Sequence, residues 1–215
     1  VMRIILFIFL QIQGLLNISG ASTASTSNYL EVKKGFIMSY NGNEGRANWV
    51  AWTLSAADLG PVPRSNDFRE DKNLPSLFQK ADSDDYKGSG YDRGHLCPSE
   101  DRTAQFYLNQ ETFLMSNMIP QTPEVNRGPW KFLEEYCRKL AKKGYFLSIY
   151  TGGIGSKDRL SGSNVPIPTY CWKVVKYDNQ SICVWIPNTH SPNKNWRTYE
   201  IGIEEMKKRT GYLFK

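Results

Sequence analysis

Histidine and cysteine are scarce in this sequence: its 215 residues include two histidines and four cysteines. No two cysteines have the Cys-x-x-Cys spacing of common zinc sites, so a structural zinc centre is not expected. Four cysteines in a chain of this length also exclude a small fold that depends on many disulfides. Any chemistry that requires an imidazole therefore falls to His95 or His190.

Long apolar runs are missing after the N-terminus, as are internal repeats and interdomain linkers. We therefore predict a single domain over residues 25–215, with no stable membrane association once the protein is mature. Near the start, Arg3 precedes an apolar run over residues 4–10, and small residues follow at Ser19-Gly20-Ala21. Residues 1–24 are therefore predicted to form a secretory signal peptide or a flexible leader, which would direct the mature protein to secretion or to the periplasm.

Basic residues outnumber acidic ones, 27 against 21, which gives a formal net charge of +6 at pH 7. A surplus of this size favours a polyanionic partner. The hydrophobic content of 40% is ordinary for a globular protein and excludes a disordered chain.

Apolar periodicity predicts an α+β fold. Strands are expected over residues 47–54 and 145–150, a hairpin over 171–177 and 181–186, and helices over 130–143 and 199–209. Glycine, serine and proline in residues 151–168 predict a loop, in which Gly152-Gly153-Ile154-Gly155 forms a turn. That sequence lacks the Gly-Lys-Ser/Thr ending of a phosphate-binding loop.

The hairpin register bears on the cysteines. A turn at residues 178–179 places Cys171 opposite Ile186 and Cys183 opposite Val174, which disfavours a Cys171–Cys183 disulfide. Proximity of Cys97 and Cys137 stays open at this stage.

The pentad Tyr91-Asp92-Arg93-Gly94-His95 brings an acid, a guanidinium and an imidazole together beside a glycine. Neutral imidazole is the commonest general base near neutral pH. An adjacent arginine can hold a phosphate or a carboxylate with two parallel hydrogen bonds. The pentad is therefore the first candidate for a catalytic site. His190 lacks such neighbours and is expected to be an exposed loop residue.

Further polar residues follow at spacings that a helix would bring together. Asn117 comes first, and intervals of four then separate Asn126, Trp130, Glu134 and Arg138. Asn126 would lie at the amino end of the helix, where the dipole favours anions. If Asn126 binds a metal there, it must therefore use its side-chain carbonyl, with a phosphate nearby to balance the charge.

Each of these residues also has a purely structural interpretation. His95 could stabilise a turn, Asn126 could cap its helix, and Glu134 with Arg138 could form an ordinary surface ion pair. Arg64 is a single loop arginine, which by itself predicts little.

The segments DRGHLCPSEDRT and FLMSNMIPQTPEVNRGPWKFLEEYCRKLA strongly resemble the DNA/RNA non-specific endonucleases of the ββα-metal (His-Me finger) fold. The likeness extends over roughly residues 29–214. It implies a mixed, mostly antiparallel sheet flanked by helices, and it implies hydrolysis of DNA and RNA to oligonucleotides with 5′-phosphate ends. Relatives usually continue for a short C-terminal segment beyond the position of Lys215, so the domain is expected to be truncated there.

The resemblance also implies roles for individual residues. His95 matches the general base that activates water, Asn126 the direct ligand of a single Mg²⁺, and Glu134 the acid that holds water on that ion. Residues implied to bind the phosphate or to complete the catalytic site are Arg64, Arg93, Arg138 and Asn117. Asp92 is expected to be structural.

Magnesium is the implied cofactor, with Mn²⁺ as a substitute, and the implied substrates are DNA and RNA bound through their phosphates. One amide ligand completed by waters and a phosphate suits Mg²⁺, which gives up its waters reluctantly. Two alternatives stay open: a catalytically inactive nucleic-acid-binding relative, and a secreted glycan-binding module suggested only by the aromatic content. Neither a homodimer nor a protein inhibitor is predicted by these patterns.

Overall fold

A computed structural model describes residues 16–161 and 163–214. The strands are β1 (Tyr29–Val32), β2 (Ile37–Asn41), β3 (Arg46–Leu54), β4 (Asp92–His95), β5 (Met118–Gln121), β6 (Leu147–Ile154), β7 (Asp158–Arg159), β8 (Pro166–Ile167), β9 (Tyr170–Tyr177) and β10 (Gln180–Pro187). The main helices are α1 (Phe106–Glu111), α2 (Lys131–Lys142) and α3 (Ile203–Thr210). Shorter helical turns are Ala56–Asp58, Asp84–Tyr86, Ser99–Asp101, Met115–Asn117, Pro123–Val125, Asn126–Trp130 and Trp196–Tyr199.

Six strands form one antiparallel sheet in the order β1-β2-β3-β6-β9-β10. Two smaller antiparallel pairs, β4 with β5 and β7 with β8, complete the strands. The α+β prediction with a mostly antiparallel sheet is therefore confirmed. Among the described residues, no helix is long and apolar enough to cross a membrane.

The large sheet has a separate hydrophobic core on each face because its side chains alternate. On β9, Cys171, Val175 and Tyr177 belong to the core that includes helix α2. Trp172 and Val174 point to the opposite core, which includes residues from α3 and from both ends of the described chain. The β4–β5 pair lies on the α2 side, where Ile119 and Leu96 join the first core.

The β9–β10 hairpin has the predicted register. Cys171 pairs with Ile186 and Cys183 with Val174, and Asp178 at the turn adopts a positive φ of 48°. All four cysteines are buried and free, and burial raises the pKa of each thiol. The open question of a Cys97–Cys137 disulfide is thereby answered: the two belong to the same core without a bond between them.

The predicted loop over residues 151–168 is wrong at its start, because β6 continues through Thr151 to Ile154. The glycines that suggested a turn lie in the strand for a steric reason. A Cβ atom at Gly152 would be 2.8 Å from Cζ2 of Trp172, and one at Gly153 would be 2.8 Å from Cβ of Pro168. These glycines therefore allow the neighbouring rings to approach the strand backbone.

The predicted helix ends need smaller corrections. The 130–143 helix becomes α2, Lys131–Lys142, after a wide turn over Asn126–Trp130. The 199–209 helix begins instead at Ile203, because a separate short turn occupies Trp196–Tyr199. Gly211 ends α3 in the left-handed conformation with φ 73°, as its position predicts.

Residues 16–24 of the predicted leader lie within the described structure. Leu16, Ile18 and Ala21 are buried in the second core, and the backbone N–H of Leu213 donates to the carbonyl of Ile18 at 3.0 Å. Cleavage after residue 24 would remove these apolar groups from the core. The rest of the predicted leader, residues 1–15, lies outside the described residues, and the leader over residues 1–24 stays a prediction.

Candidate active site

The structure brings five of the predicted site residues to one cleft of about 160 Å³. They come from separate parts of the chain: Arg64, Arg93, His95, Asn126 and Glu134. The same cleft is also lined by Pro98, Ser99, Glu100, Arg127 and Lys131. Four cationic side chains and two carboxylates therefore face this space, which favours an anionic ligand.

The β4–β5 pair positions His95. His95 lies opposite Met118, and Gly94 lies opposite Ile119. A Cβ atom at Gly94 would be 2.6 Å from Cγ of Gln121, whose side chain is fully buried. The glycine of the pentad thus allows Gln121 to pack against the backbone directly before His95.

Aromatic rings hold the imidazole of His95. The rings of Phe68 and Phe113 contact it edge-on, with centroids 5.7 Å and 5.0 Å away. Trp130 Nε1 donates a hydrogen bond to the backbone carbonyl of His95 at 3.3 Å. His95 is 8% exposed, and among the described residues its Nε2 atom has no hydrogen-bond partner. A buried ring nitrogen without a partner is rare in a folded protein and indicates a functional role for this imidazole.

Burial and, to a smaller extent, the positive charges of Arg64 and Arg93 together lower the pKa of His95 to about 3. The imidazole is therefore neutral at every pH at which the protein would work. Neutral imidazole can accept a proton, which a general base requires.

Both arginines are fixed by the aromatic residues that surround His95. The guanidinium of Arg93 lies over Phe68 at 4.1 Å from the ring centroid, and that of Arg64 lies over Phe113 at 4.8 Å. Arg64 also donates from Nη1 to Ser99 Oγ at 2.9 Å. Arg64 Nε donates to Asn66 Oδ1 at 2.8 Å as well. Stacking of this kind orients a guanidinium, and the N–H groups that have no protein partner can bind a phosphate.

Asp92 orients Asn126. The amide nitrogen of Asn126 donates to Asp92 Oδ2 at 2.8 Å, which directs the carbonyl end of the amide away from that carboxylate. Arg127 grips the same carboxylate with two hydrogen bonds, of 2.8 Å and 2.7 Å. The structural role expected for Asp92 thus takes a specific form: it leaves the Asn126 carbonyl as the group available to a cation.

Glu134 reaches the cleft from helix α2, and its side chain is 13% exposed. Burial raises the pKa of this carboxyl, while the neighbouring Lys173 and Arg138 oppose the rise. Lys173 Nζ lies 3.3 Å from Glu134 Oε1 and is 1% exposed. Sequence reasoning missed Lys173, although a lysine on the core face of a strand is an unusual signal.

Arg138 lies beside the cleft and does not line it. Its Nη1 atom is 3.1 Å from Asp101 Oδ1, and its Nη2 atom is 2.5 Å from Glu100 Oε2. Asp101 is buried and also accepts from Trp52 Nε1 at 3.0 Å. The alternative interpretation of Glu134 and Arg138 as an ordinary surface ion pair does not hold, because Glu134 pairs with Lys173 and Arg138 pairs with Glu100 and Asp101.

Asn117 does not line the cleft either, but it lies beside the segment that carries His95, where the resemblance implies a polar residue that shapes the site. Its Oδ1 atom accepts from the Cys97 N–H at 2.9 Å, and its Nδ2 atom donates to the carbonyls of Cys97 and Thr112 at 2.9 Å and 2.8 Å. Because Cys97 follows His95 by two residues, these hydrogen bonds fix the backbone directly after His95. It is a positioning residue.

His190 is exposed, as predicted, with Nδ1 at 3.3 Å from Glu124 Oε2. Cys97 is fully buried with a raised thiol pKa, so it is not a nucleophile. Among residues 16–161 and 163–214, no three His, Cys, Asp or Glu side chains converge as a metal cluster. The oxygen donors at the cleft, the Asn126 carbonyl and the Glu134 carboxylate, still fit Mg²⁺, which keeps several waters of its own.

Comparison with known proteins shows which family this chain resembles. A family model described as DNA/RNA non-specific endonuclease matches residues 16–215. A nuclease of Nostoc sp. is 41% identical over 92% of this chain and 78% of that protein. Nuclease C1 of Cunninghamella echinulata var. echinulata is 31% identical over 85% of this chain and 81% of that protein.

More distant similarity includes human mitochondrial Endonuclease G, which is 28% identical over 86% of this chain and 69% of that protein. A crystal structure of the EndoG/EndoGI complex matches with a TM-score of 0.82 and 24% identity, over 95% of this chain and 91% of that chain. This structural match confirms the predicted ββα-metal fold.

Replacing Gly94 with alanine should destabilise the protein, because the new methyl group would overlap the buried Gln121 side chain. Overpacking of this kind costs about 1–3 kcal/mol, which would lower the midpoint of urea unfolding. Gly202→Ala is the matched control, since a Cβ atom there meets no described heavy atom within 4 Å. Equal midpoints for Gly94→Ala and the wild type would contradict the close packing.

The depressed pKa of His95 predicts a loss of stability in acid. The pKa is about 3 in the fold and ordinarily 6.5, so below pH 6.5 the unfolded chain binds a proton that the folded chain does not. Stability present above pH 6.5 should be lost on acidification, at up to about 1.4 kcal/mol per pH unit.

Urea unfolding between about pH 5 and 7, above the range in which ordinary carboxylates titrate, measures this slope. His95→Gln should remove it, and substitution of the exposed His190 by glutamine should leave it unchanged. A His95→Gln variant with the wild-type slope would rule out a neutral, buried imidazole.

Proposed function

The chain belongs to the DNA/RNA non-specific endonuclease family, and we propose that it is a Mg²⁺-dependent endonuclease that hydrolyses phosphodiester bonds of both DNA and RNA. The observation that carries this proposal is that His95, a buried imidazole whose Nε2 has no partner among the described residues, lines the same cleft as Asn126 and Glu134. The expected products are oligonucleotides with 5′-phosphate ends.

His95 acts as the general base that takes a proton from the attacking water. Its low pKa keeps it neutral in the free enzyme but also makes it a weak base. Two of the causes are the charges of Arg64 and Arg93. A phosphate bound between these guanidiniums offsets their charge, so substrate binding raises the pKa of His95 and strengthens the base when it is needed.

Arg64 and Arg93 bind the scissile phosphate and stabilise the negative charge that develops on it. Hydrolysis adds a fifth oxygen to phosphorus, so cations that are already oriented stabilise the transition state more than the ground state. The aromatic rings under both arginines provide that orientation.

Asn126, through its carbonyl, and Glu134, through water, would hold the metal ion. Mg²⁺ bound there would supply Lewis-acid stabilisation of the negative charge that develops during hydrolysis. Mn²⁺ has the same preference for oxygen ligands and is expected to substitute.

Contacts to phosphate carry no sequence information, which accounts for activity on nucleic acids of any sequence. The basic residues that line the cleft suit a polyanion of either sugar type. We also propose that the protein acts outside the cytoplasm, a proposal that rests only on the leader pattern at its N-terminus.

Digestion of plasmid DNA, single-stranded DNA and RNA, with Mg²⁺ and with EDTA, tests the proposal. All three substrates should be cleaved with the metal and none with EDTA. His95→Ala should reduce cleavage by at least about 100-fold, because the general base is lost, while DNA retention on a column stays near that of the wild type. His190→Ala is the control and should remain active. DNA retention without cleavage by the wild type would instead identify an inactive nucleic-acid-binding relative.

Asn126→Ala should raise the Mg²⁺ concentration required for half-maximal activity by at least about tenfold, because the amide carbonyl is lost as a ligand. The maximal rate should also fall. Substitution of Asn43, an exposed asparagine that does not line the cleft, is the matched control. An unchanged metal titration for Asn126→Ala would count against metal ligation by this residue.

A further inference from the structure

Lys173 occupies a position where the fold would ordinarily place an apolar side chain. Its neighbours on the same face of β9, Cys171 and Val175, belong to the hydrophobic core, and Lys173 is 1% exposed. β9 lies inside the sheet, where Lys173 pairs with Thr151 on β6 and with Val184 on β10. Backbone pairing on both sides therefore fixes the position from which the Lys173 side chain extends.

Among the described residues, the ammonium group lies near two aromatic rings and forms an ion pair with one carboxylate. Lys173 Nζ lies 4.2 Å from the ring centroid of Trp130 and 5.8 Å from that of Trp52. Its ion-pair partner is Glu134, with Nζ 3.3 Å from Oε1. The cation–π contacts and the ion pair together compensate the lost hydration of the charge.

Stability of the fold alone does not account for this lysine. A buried ion pair generally stabilises a protein no more than well-packed apolar residues of similar volume. The carboxylate that Lys173 contacts is, however, the one that extends into the cleft. The position and the partner of Lys173 therefore indicate a role in the site.

We propose that Lys173 is a positioning residue that fixes the Glu134 carboxylate in the orientation in which it holds water on the metal. The proposal rests on the proposed function. Lys173, which is buried in the core, contacts one oxygen of the Glu134 carboxylate, and the side chain of Glu134 lines the cleft. Trp130 links this pair to the general base, because its ring contacts Lys173 and its Nε1 donates to the carbonyl of His95.

The test compares Lys173→Met, Glu134→Gln and the double variant with the wild type. Methionine keeps the length of the side chain without its charge. Binding of Mn²⁺ without nucleic acid, followed by electron paramagnetic resonance, provides a readout that does not depend on activity. Steady-state cleavage of DNA gives kcat and KM separately. Lys176→Met is the matched control, since Lys176 lies on the same strand, does not line the cleft and is only partly buried.

Lys173→Met should weaken Mn²⁺ binding and lower kcat by about 10- to 100-fold with little change in KM. The double variant should match Glu134→Gln in both measurements, because the lysine acts only through that carboxylate. Lys176→Met should match the wild type.

Three results would overturn the proposal: wild-type Mn²⁺ affinity in Lys173→Met, losses that multiply in the double variant, or a Glu134→Gln variant without effect. If Lys173→Met does not fold, the double variant still decides, because it buries no unpaired charge and is compared with Glu134→Gln alone. A wild type that neither binds Mn²⁺ nor cleaves nucleic acid would instead refute the proposed function.

Discussion

Four charged groups, of which Lys173 and Asp101 are buried and Glu134 and Arg138 partly buried, are the constraint on which the candidate site depends. Lys173 pairs with Glu134, and Arg138 pairs with Asp101, so two positive and two negative groups share a small region next to the core. Removing one member would leave its partner charged and largely without water, which is costlier than losing the whole pair. The residues of this cluster therefore behave as a unit, and only Glu134 among them reaches the cleft.

The charges that line the cleft itself are, by contrast, mostly positive. Arg64 and Arg93 stack on the rings that also enclose His95, and their charges lower its pKa in addition to burial. When no anion is bound, Arg64 and Arg93 disfavour a positive charge on the imidazole of His95. A bound phosphodiester relieves that repulsion, so affinity for phosphate and basicity of the imidazole depend on the same electrostatic interaction.

Much of the fold could be predicted from local patterns. The alternation in β9 and β10 and the turn at Asp178 were sufficient to give the register of the hairpin. Residues 151–154 were predicted wrongly because glycine usually indicates a turn, whereas here the rings of Trp172 and Pro168 require it within a strand. That requirement arises from tertiary contacts, which no window of sequence contains.

The candidate site likewise combines residues that the sequence could predict with residues that only tertiary contacts bring together. The pentad and the asparagine and glutamate that follow it could be placed together, since family resemblance and helical spacing both indicated one location. Lys173 and Asp101 could not, because their partners are distant in sequence: Lys173 and Glu134 are brought together by the packing of α2 on the sheet. The actual ion-pair partners of Glu134 and Arg138 could not be predicted for the same reason.

The signature residues that do not reach the cleft have a common physical role. Gly94 makes room for Gln121 directly before His95, and Asp92 turns the amide of Asn126 so that its carbonyl is available. Asn117 fixes the backbone after His95, and Trp130 fixes the carbonyl of His95 itself. A general base and a single amide ligand have little geometric tolerance, since misplacement by about 1 Å can cost about 100-fold in rate. The pattern between residues 91 and 130 is therefore long, because most of these residues align His95 and Asn126, which no single secondary-structure element could hold together.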